Sequence, residues 1–570
     1  MGVEPREVKR VGAFIRNLTL FMAAFCCLQT YAQTSQSPTA KQLFEQERWP
    51  EVVQLLEHAP RTSADLDYYY GVALAHLNRF PEARSALLVG ARRAPRDKRF
   101  PIELAGVAFR QNQFTEAKRN LHQALRLDPR DDYVYEFLAT VYFVQGNLEA
   151  ALKYWNRVGK PVIAEIRNQP PLRVRPALLD HTFAFAPASV MTLDQLLASD
   201  VRARMLEIFT SYHFEIDARG DGKFETVFRA QELNGFGNTK VEALVRMFRG
   251  IFFEEITPEY YNIHGSATNV RTLYRFDTDK RRVSAGYSAP LKEDPTWRYR
   301  FGTDLRNENW TIQTAFTGPS IFLGALNLRR EAIGAEIRRL VGARWSWSAG
   351  AEFSHRDYRN VVPGIALTPQ LLARGYQIKQ IAQLNYELWR SPERRLSITS
   401  TVDSEAGRIW SAPAQSFEKL QASVDTRWFP RPLGDDLESH LRLRAGKTFG
   451  EIPFDELFML GVETDNTLWM RAHKGDRDGE KGASPLGRNY FLSNWETDKN
   501  VFANGYLTVG LGPLLDIGKS WDTSPALGSH KWLFDVGAEA KLRVLGVGVV
   551  FSYGKDLRSG HNAFFADVRL

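Results

Sequence analysis

The chain has 570 residues, a formal net charge of +8 and 25% charged residues. Single domains usually hold roughly 100 to 200 residues, so two or three units are expected. Basic and acidic residues are intermixed along the chain, which excludes a nucleic-acid footprint, and no run reaches the roughly 20 apolar residues of a spanning helix.

In chain order, residues 1–32 read as a secretory signal peptide. Arg6, Lys9, Arg10 and Arg16 precede an uncharged stretch from Asn17 through Leu28, and Thr30-Tyr31-Ala32 sets small residues three and one before a cut after Ala32. Phe25 and Cys26 stand where a lipobox needs a small residue, so no lipoprotein site is read at Cys26 or Cys27. Both cysteines leave with the leader, and the loss of four basic and two acidic residues takes the net charge from +8 to +6. The mature chain has no disulfide to rely on, although export would permit one.

A repeat of period 34 follows. Gly71, Ala83, Leu87 and Pro95 recur as Ala105, Ala117, Leu121 and Pro129, and a third copy carries Leu138, Ala139, Tyr142, Gly146, Ala151 and Trp155. These are helix-pair positions of a tetratricopeptide repeat (TPR). The small residues mark close helix crossings, and Pro95 and Pro129 stop second helices. A looser copy, Phe44, Trp49, Val52, Leu56 and Ala59 before Pro60, extends the expected solenoid over 38–165. Its concave face suits periplasmic protein partners or client polypeptides, while Tyr68, Tyr69, Tyr70 and Trp155 read as core.

Residues 178–235 read as a small α/β module: a strand from Thr182 to Ala188, a helix marked by Leu193, Leu197, Val201, Met205 and Ile208, then a hairpin turning at Arg219-Gly220-Asp221-Gly222 and closing at Glu232. Asp217, Asp221 and Gly222 suggest a calcium loop, but Arg219 and Phe228 occupy ligand positions. A tight turn with glycine at positive φ accounts for the cluster. The module resembles a shortened POTRA domain, the periplasmic unit that precedes the barrel in the BamA/TamA/FhaC superfamily, with one of the two helices missing or merged.

From about residue 240 the chain alternates with period two. Trp345, Trp347, Ala349, Ala351 and Phe353 interleave with polar residues, as do Ala382 to Leu388, Leu420 to Trp428, Phe534 to Val544 and Phe564 to Leu570. Stretches this long, apolar on one face and charged on the other, fit a transmembrane antiparallel β-barrel, and about 330 residues with a turn every 20 or so give about 16 strands. The expected fold is therefore α plus membrane β-barrel: TPR solenoid, POTRA-like module, and an outer-membrane barrel over 240–570. Leu570 departs from the usual terminal aromatic.

Phe458 to Leu570 resembles the C-terminal end of the same superfamily, also called the bacterial surface antigen family. Gly461 precedes Leu468-Trp469-Met470-Arg471-Ala472-His473, where the family has hydrophobic-Arg-Gly-aromatic; Arg471 matches, and Ala472 and His473 depart. Trp495-Glu496 matches a strand glutamate, and Leu514-Leu515-Asp516-Ile517-Gly518 matches Phe-x-Asp-x-Gly with leucine for phenylalanine. The resemblance implies that a loop from about 462 to 489 folds into the lumen and sets Arg471 against Asp516, with Glu496 as a second carboxylate and Gly518 completing the motif. Losing the aromatic implies a weaker latch and a more mobile loop.

No His-Glu-x-x-His, nucleophile elbow or Cys/His set occurs, and Gly512 to Gly518 before Lys519-Ser520 has the wrong spacing for a P-loop. No catalytic, cofactor-binding or metal residues are expected. Two functions fit: outer-membrane polypeptide translocation or protein insertion, with the arm in the periplasm and lipid around the barrel, or exopolysaccharide export through a TPR-bearing porin. The strand arginines Arg298, Arg300, Arg306, Arg442, Arg444 and Arg543 are read as lumen-lining and mildly disfavour the second.

Overall fold

A computed structural model describes residues 39–313, 320–504, 507–544 and 547–569. The expected leader, 1–32, and Leu570 lie outside the described residues. The chain divides into two compact units, Met1–Ile166 with Pro187–Leu193 and Glu215–Thr226, and Arg167–Ala186 with Asp194–Phe214 and Val227–Leu570.

The first unit is a run of helix pairs: Ala40–Glu45 with Trp49–Glu57, Ala64–His76 with Phe80–Arg93, Arg99–Arg110 with Phe114–Leu127, and Asp132–Val144 with Leu148–Trp155. Six of these eight start at a side-chain cap or with a proline in the first turn. Thr39, Ser63, Asp131 and Asn147 accept from backbone N–H groups of their first turns, which satisfies donors a helix start leaves orphaned. Ala83, Ala105, Ala117, Ala139 and Ala151 are fully buried and Tyr142 is buried. At Gly71 even a methyl group would lie 2.7 Å from Leu87 Cγ. Pro95 and Pro129 follow the helices ending at Arg93 and Leu127. Tyr70 and Trp155 are buried, while Tyr68 and Tyr69 pack on the core from its edge.

The module begins earlier than 178. Strands β1 (Ile163–Gln169), β2 (Phe209–Ala218) and β3 (Phe224–Glu232) form a sheet of order β1-β3-β2. Helices Pro176–Thr182 and Leu193–Leu206 lie between β1 and β2, so both helices are present. The strand expected from Thr182 to Ala188 is not formed. Phe183 and Phe185 alternate as in a strand but belong to an irregular segment, where Phe183 packs on Phe228 with ring centroids 5.4 Å apart and Phe185 on Phe214 at 6.0 Å. Pro187 lacks an N–H, and Ala188 has φ 61°, outside strand geometry. Gly222, at φ 77°, makes the β2–β3 turn.

The rest of the second unit is an antiparallel meander whose strand order makes a barrel. Among the described residues, fourteen strands of seven residues or more run from Asn269–Arg275 to Asn562–Arg569, and the short strands Glu255–Ile256 and Glu259–Tyr260 pair with the first of them. With the fourteen they make sixteen barrel strands, in line with the expected 16 or so. Phe353, Leu384, Tyr386 and Leu388 point outward and are exposed, whereas their polar neighbours face inward. No helix among the described residues is long and apolar enough to cross a membrane.

Candidate functional site

The chain between Gly450 and Asn489 turns into the barrel and meets its inner wall on several sides. Apolar packing seats it: Phe458, Leu460, Leu468 and Met470 cluster with Tyr490, Leu492 and Leu533 of the wall. At Gly518 an added Cβ would lie 2.7 Å from Met470 Sδ, and at Gly554 it would lie 2.3 Å from Arg471 O and 2.7 Å from Ala472 N. Both glycines clear space for the loop.

Arg471, 3% exposed, lies at the centre. Its Nη2 donates to Asp516 Oδ1 at 2.7 Å and its Nε to Asp516 Oδ2 at 3.0 Å, a bidentate pair. Its Nη1 donates to Glu496 Oε2 at 2.8 Å and to Glu539 Oε1 at 2.7 Å. The backbone N–H of Arg471 also donates to Asp516 Oδ2 at 2.9 Å, and Asn494 Nδ2 to Asp516 Oδ1 at 2.6 Å. Strands Asn489–Ala503, Leu507–Trp521 and Leu533–Val544 are sequential neighbours, so three adjacent strands each contribute one carboxylate. Glu539 was not among the residues singled out from sequence.

The two departures from the family motif have partners of their own. Ala472 N donates to Asp535 Oδ2 at 2.8 Å, and His473 Nε2 lies 3.2 Å from Asp535 Oδ1. Burial disfavours the imidazolium of His473, but Asp535, Asp556 and Asp516 outweigh it and raise its pKa. Arg471 thus has a third carboxylate in Glu539, and His473, where the family has an aromatic, sits against Asp535. Ligand atoms of His473, Asp535 and Asp556 lie within 4.8 Å of one another, a spacing that could hold a metal ion. Asp535 is engaged as above, and Asp556 accepts from Arg558 N and Ser559 N of its own turn.

Elsewhere the polarity is inverted, with an acidic loop against a basic wall. Asp455 accepts from Arg356 Nη1 at 2.8 Å, Glu456 from Lys379 Nζ at 3.1 Å, and Asp465 from Arg275 Nη1 at 2.7 Å. Near the loop tip, Lys481 Nζ donates to Glu308 Oε1 at 2.8 Å and to Asp465 Oδ2 at 3.0 Å.

A second polar constellation ties the module's helix to the barrel strands. Arg298, 1% exposed, donates through Nη1 to Met205 O at 3.2 Å and Leu206 O at 3.1 Å, and through Nη2 to Ser288 Oγ at 2.8 Å. It caps the helix C-terminus, where carbonyls lack intrahelical partners and the dipole favours a cation. The next residue, Glu207, pairs with Arg300 and lies 3.3 Å from Arg271 and 3.5 Å from Arg298. Burial raises the Glu207 pKa, but the three guanidiniums outweigh it and hold the carboxyl below its usual range. Glu232 accepts from Arg173 N at 2.7 Å, Val174 N at 2.8 Å and Asn262 Nδ2 at 2.9 Å, fixing the end of β3 to the approach to the barrel. Of the other strand arginines, Arg306 and Arg442 pair with Asp304 and Asp425, and Arg444 donates to Thr467 O at 2.7 Å.

The class this fold defines is an antiparallel barrel with a loop bound inside it, preceded by a βααββ module and a tetratricopeptide solenoid. Residues 102–160 match the tetratricopeptide repeat family model. No curated protein matches. Among solved structures the chain is similar to BamA from Haemophilus ducreyi lacking POTRA domains 1-3, at 12% identity and TM-score 0.41, covering 72% of this chain and 85% of that one. It is also similar to CdiB from Escherichia coli (14%, TM-score 0.44, 72% and 76%) and to CdiB from Acinetobacter baumannii (11%, TM-score 0.41, 72% and 73%).

Proposed function

We propose that this protein moves or inserts polypeptides at the bacterial outer membrane, with its helical arm receiving clients in the periplasm and loop 451–488 acting as a lumen latch centred on Arg471, Glu496, Asp516 and Glu539. The observation that carries the reading is the loop itself. A pore for passive export has no use for a segment fixed inside the lumen by buried, charge-matched contacts, whereas a polypeptide transporter needs a seal that a client can displace. Cavities of about 390 Å³ beside Glu207, Arg300 and Asp304 and about 260 Å³ beside Asp403, Glu405 and Arg444 share Ile381 as a lining residue and leave part of the lumen hollow. The smaller of the two is lined mainly by polar and charged groups, which suit a hydrated, extended chain.

Single-channel conductance of the refolded protein tests this, comparing the intact chain with Arg471→Ala and with deletion of 475–484. The intact protein is expected to give a small, fluctuating pore that enlarges in both variants. A large, steady pore indifferent to both changes would remove the latch and favour exopolysaccharide export.

A further inference from the structure

The segment joining β3 to the first barrel strands is built inside out. Helix Lys240–Met247 is capped by Thr239, whose Oγ1 accepts from Glu242 N at 3.1 Å. Of its three charged residues, Lys240 at the start is exposed, while Glu242 and Arg246 are 6% and 2% exposed. They face inward as a pair, with Arg246 Nε donating to Glu242 Oε1 at 3.0 Å and Asn238 N donating to Glu242 Oε2 at 2.9 Å. On the opposite side, at helical spacing, Val241, Leu244 and Phe248 are 62%, 61% and 40% exposed, and the following turn Ile251–Phe253 adds Ile251 and Phe252, the latter 94% exposed. A helix on a water-facing surface has the reverse arrangement.

The orientation is fixed. Thr257 donates from N to Met247 O at 2.9 Å and from Oγ1 to Arg246 O at 3.1 Å, and Arg249 Nη1 donates to Glu259 Oε2 at 2.7 Å. The helix cannot roll its apolar side inward without breaking these bonds and exposing a buried ion pair.

In sequence the segment lies between two outward aromatic residues that meet each other, Phe236 and Tyr260. Phe236, just before the helix, stands edge-on to Tyr260 with ring centroids 5.0 Å apart. Tyr260 lies opposite Val270, Val270 opposite Tyr287, and Tyr287 opposite Phe301, one outward row across four strands. The helix is thus inserted in the chain beside the start of that row.

We propose that residues 240–253 form an interfacial anchor lying along the bilayer surface, with Val241, Leu244, Phe248, Ile251 and Phe252 among the acyl chains. The inference rests on the reading of the barrel as membrane-spanning. An amphipathic segment of this kind buries its apolar face about 5–10 Å into the headgroup and acyl boundary.

The test uses the full chain in a Cys26→Ser, Cys27→Ser background, with single cysteines at Phe252, Phe301 or Lys41 carrying a bimane label. The labelled proteins are reconstituted in phosphatidylethanolamine and phosphatidylglycerol vesicles that contain a nitroxide near the carboxyl end of the acyl chain. Loss of fluorescence at 252 and 301 with none at 41 is the expected result. Quenching at 301 but not at 252, or quenching of 252 by aqueous iodide, overturns the anchor and leaves the barrel reading standing. A bright 301 overturns both. Excimer emission from pyrene at 252 would assign the face to a second copy and overturn the lipid assignment.

Discussion

Arg471 is a buried cation shared by Asp516, Glu539 and Glu496. Replacing it with alanine strands buried carboxylates without a counter-charge, a class of change that costs about 3–5 kcal/mol, here taken from loop docking. Arg471→Lys keeps the charge but cannot reproduce the bidentate geometry, so its pore is expected to fall between wild type and Arg471→Ala in conductance. Gly554→Ala separates fit from charge. Its Cβ would meet the loop backbone at 2.3 Å, and backbone yields less readily than a side chain. An enlarged pore with every charge in place is expected; a wild-type pore would mean that the loop docks elsewhere. Gly518→Ala meets side chains alone, Met470 Sδ at 2.7 Å and Leu492 Cδ1 at 3.3 Å, and should be milder. Arg471, Glu496 and Asp516 were legible in the sequence because three short motifs of the family it resembles carry them. Glu539 was not. It alternates with Ala538 and Ala540 on a strand whose polar face also includes Asp535 and Lys541, and only the pairing register decides which of these reaches the loop. The same limit hid Asp455 with Arg356 and Asp465 with Arg275, partners 99 and 190 residues apart.

At the scale of elements, the helix Leu193–Leu206 leaves through Glu207 at φ 55°, a left-handed conformation that costs a non-glycine residue on the order of 1 kcal/mol. A glycine would be easier there, but it could not pair with Arg298, Arg300 and Arg271. Because the Glu207 pKa lies below its ordinary value, this pairing contributes stability that is complete above the unfolded carboxyl pKa of about 4.3 and is lost as pH falls through the folded value. Acidification is therefore expected to speed proteolysis at the helix end in the wild type, with Glu207→Gln cleaved at the fast rate at every pH. Equal, pH-independent cleavage of both proteins would count against the pairing. The long strands were legible from period two, since each has one apolar and one polar face. The segment 182–188 misled for the same reason: Phe183 and Phe185 alternate because both pack on aromatic neighbours, without a ladder to hold them extended.

For the whole molecule, the division into two units predicts separable behaviour. Deleting the helical arm over 39–158 should leave the conductance of the barrel unchanged and abolish only the client delivery proposed above. An arm deletion that opens the pore would place a gating role in the arm. Solenoid and barrel were both legible, the first from its 34-residue period and the second from its alternation. The strand number followed from the turn spacing, although that spacing does not distinguish a turn from a loop that enters the lumen.

That loop has a mechanical consequence. Its charged side chains reach inward-facing residues on the strands Asn269–Arg275, Asp294–Gln313, Trp345–Val362, Gly375–Ser391 and Leu507–Trp521, so it works as a hub whose ion pairs are spokes to the rim. Ladder hydrogen bonds fix neighbouring strands to each other, but only the spokes brace opposite sides of the wall. Withdrawing the hub relaxes all of them together and leaves a softer hoop, so amide hydrogen exchange in these five strands should accelerate in Arg471→Ala while the helical arm keeps its protection.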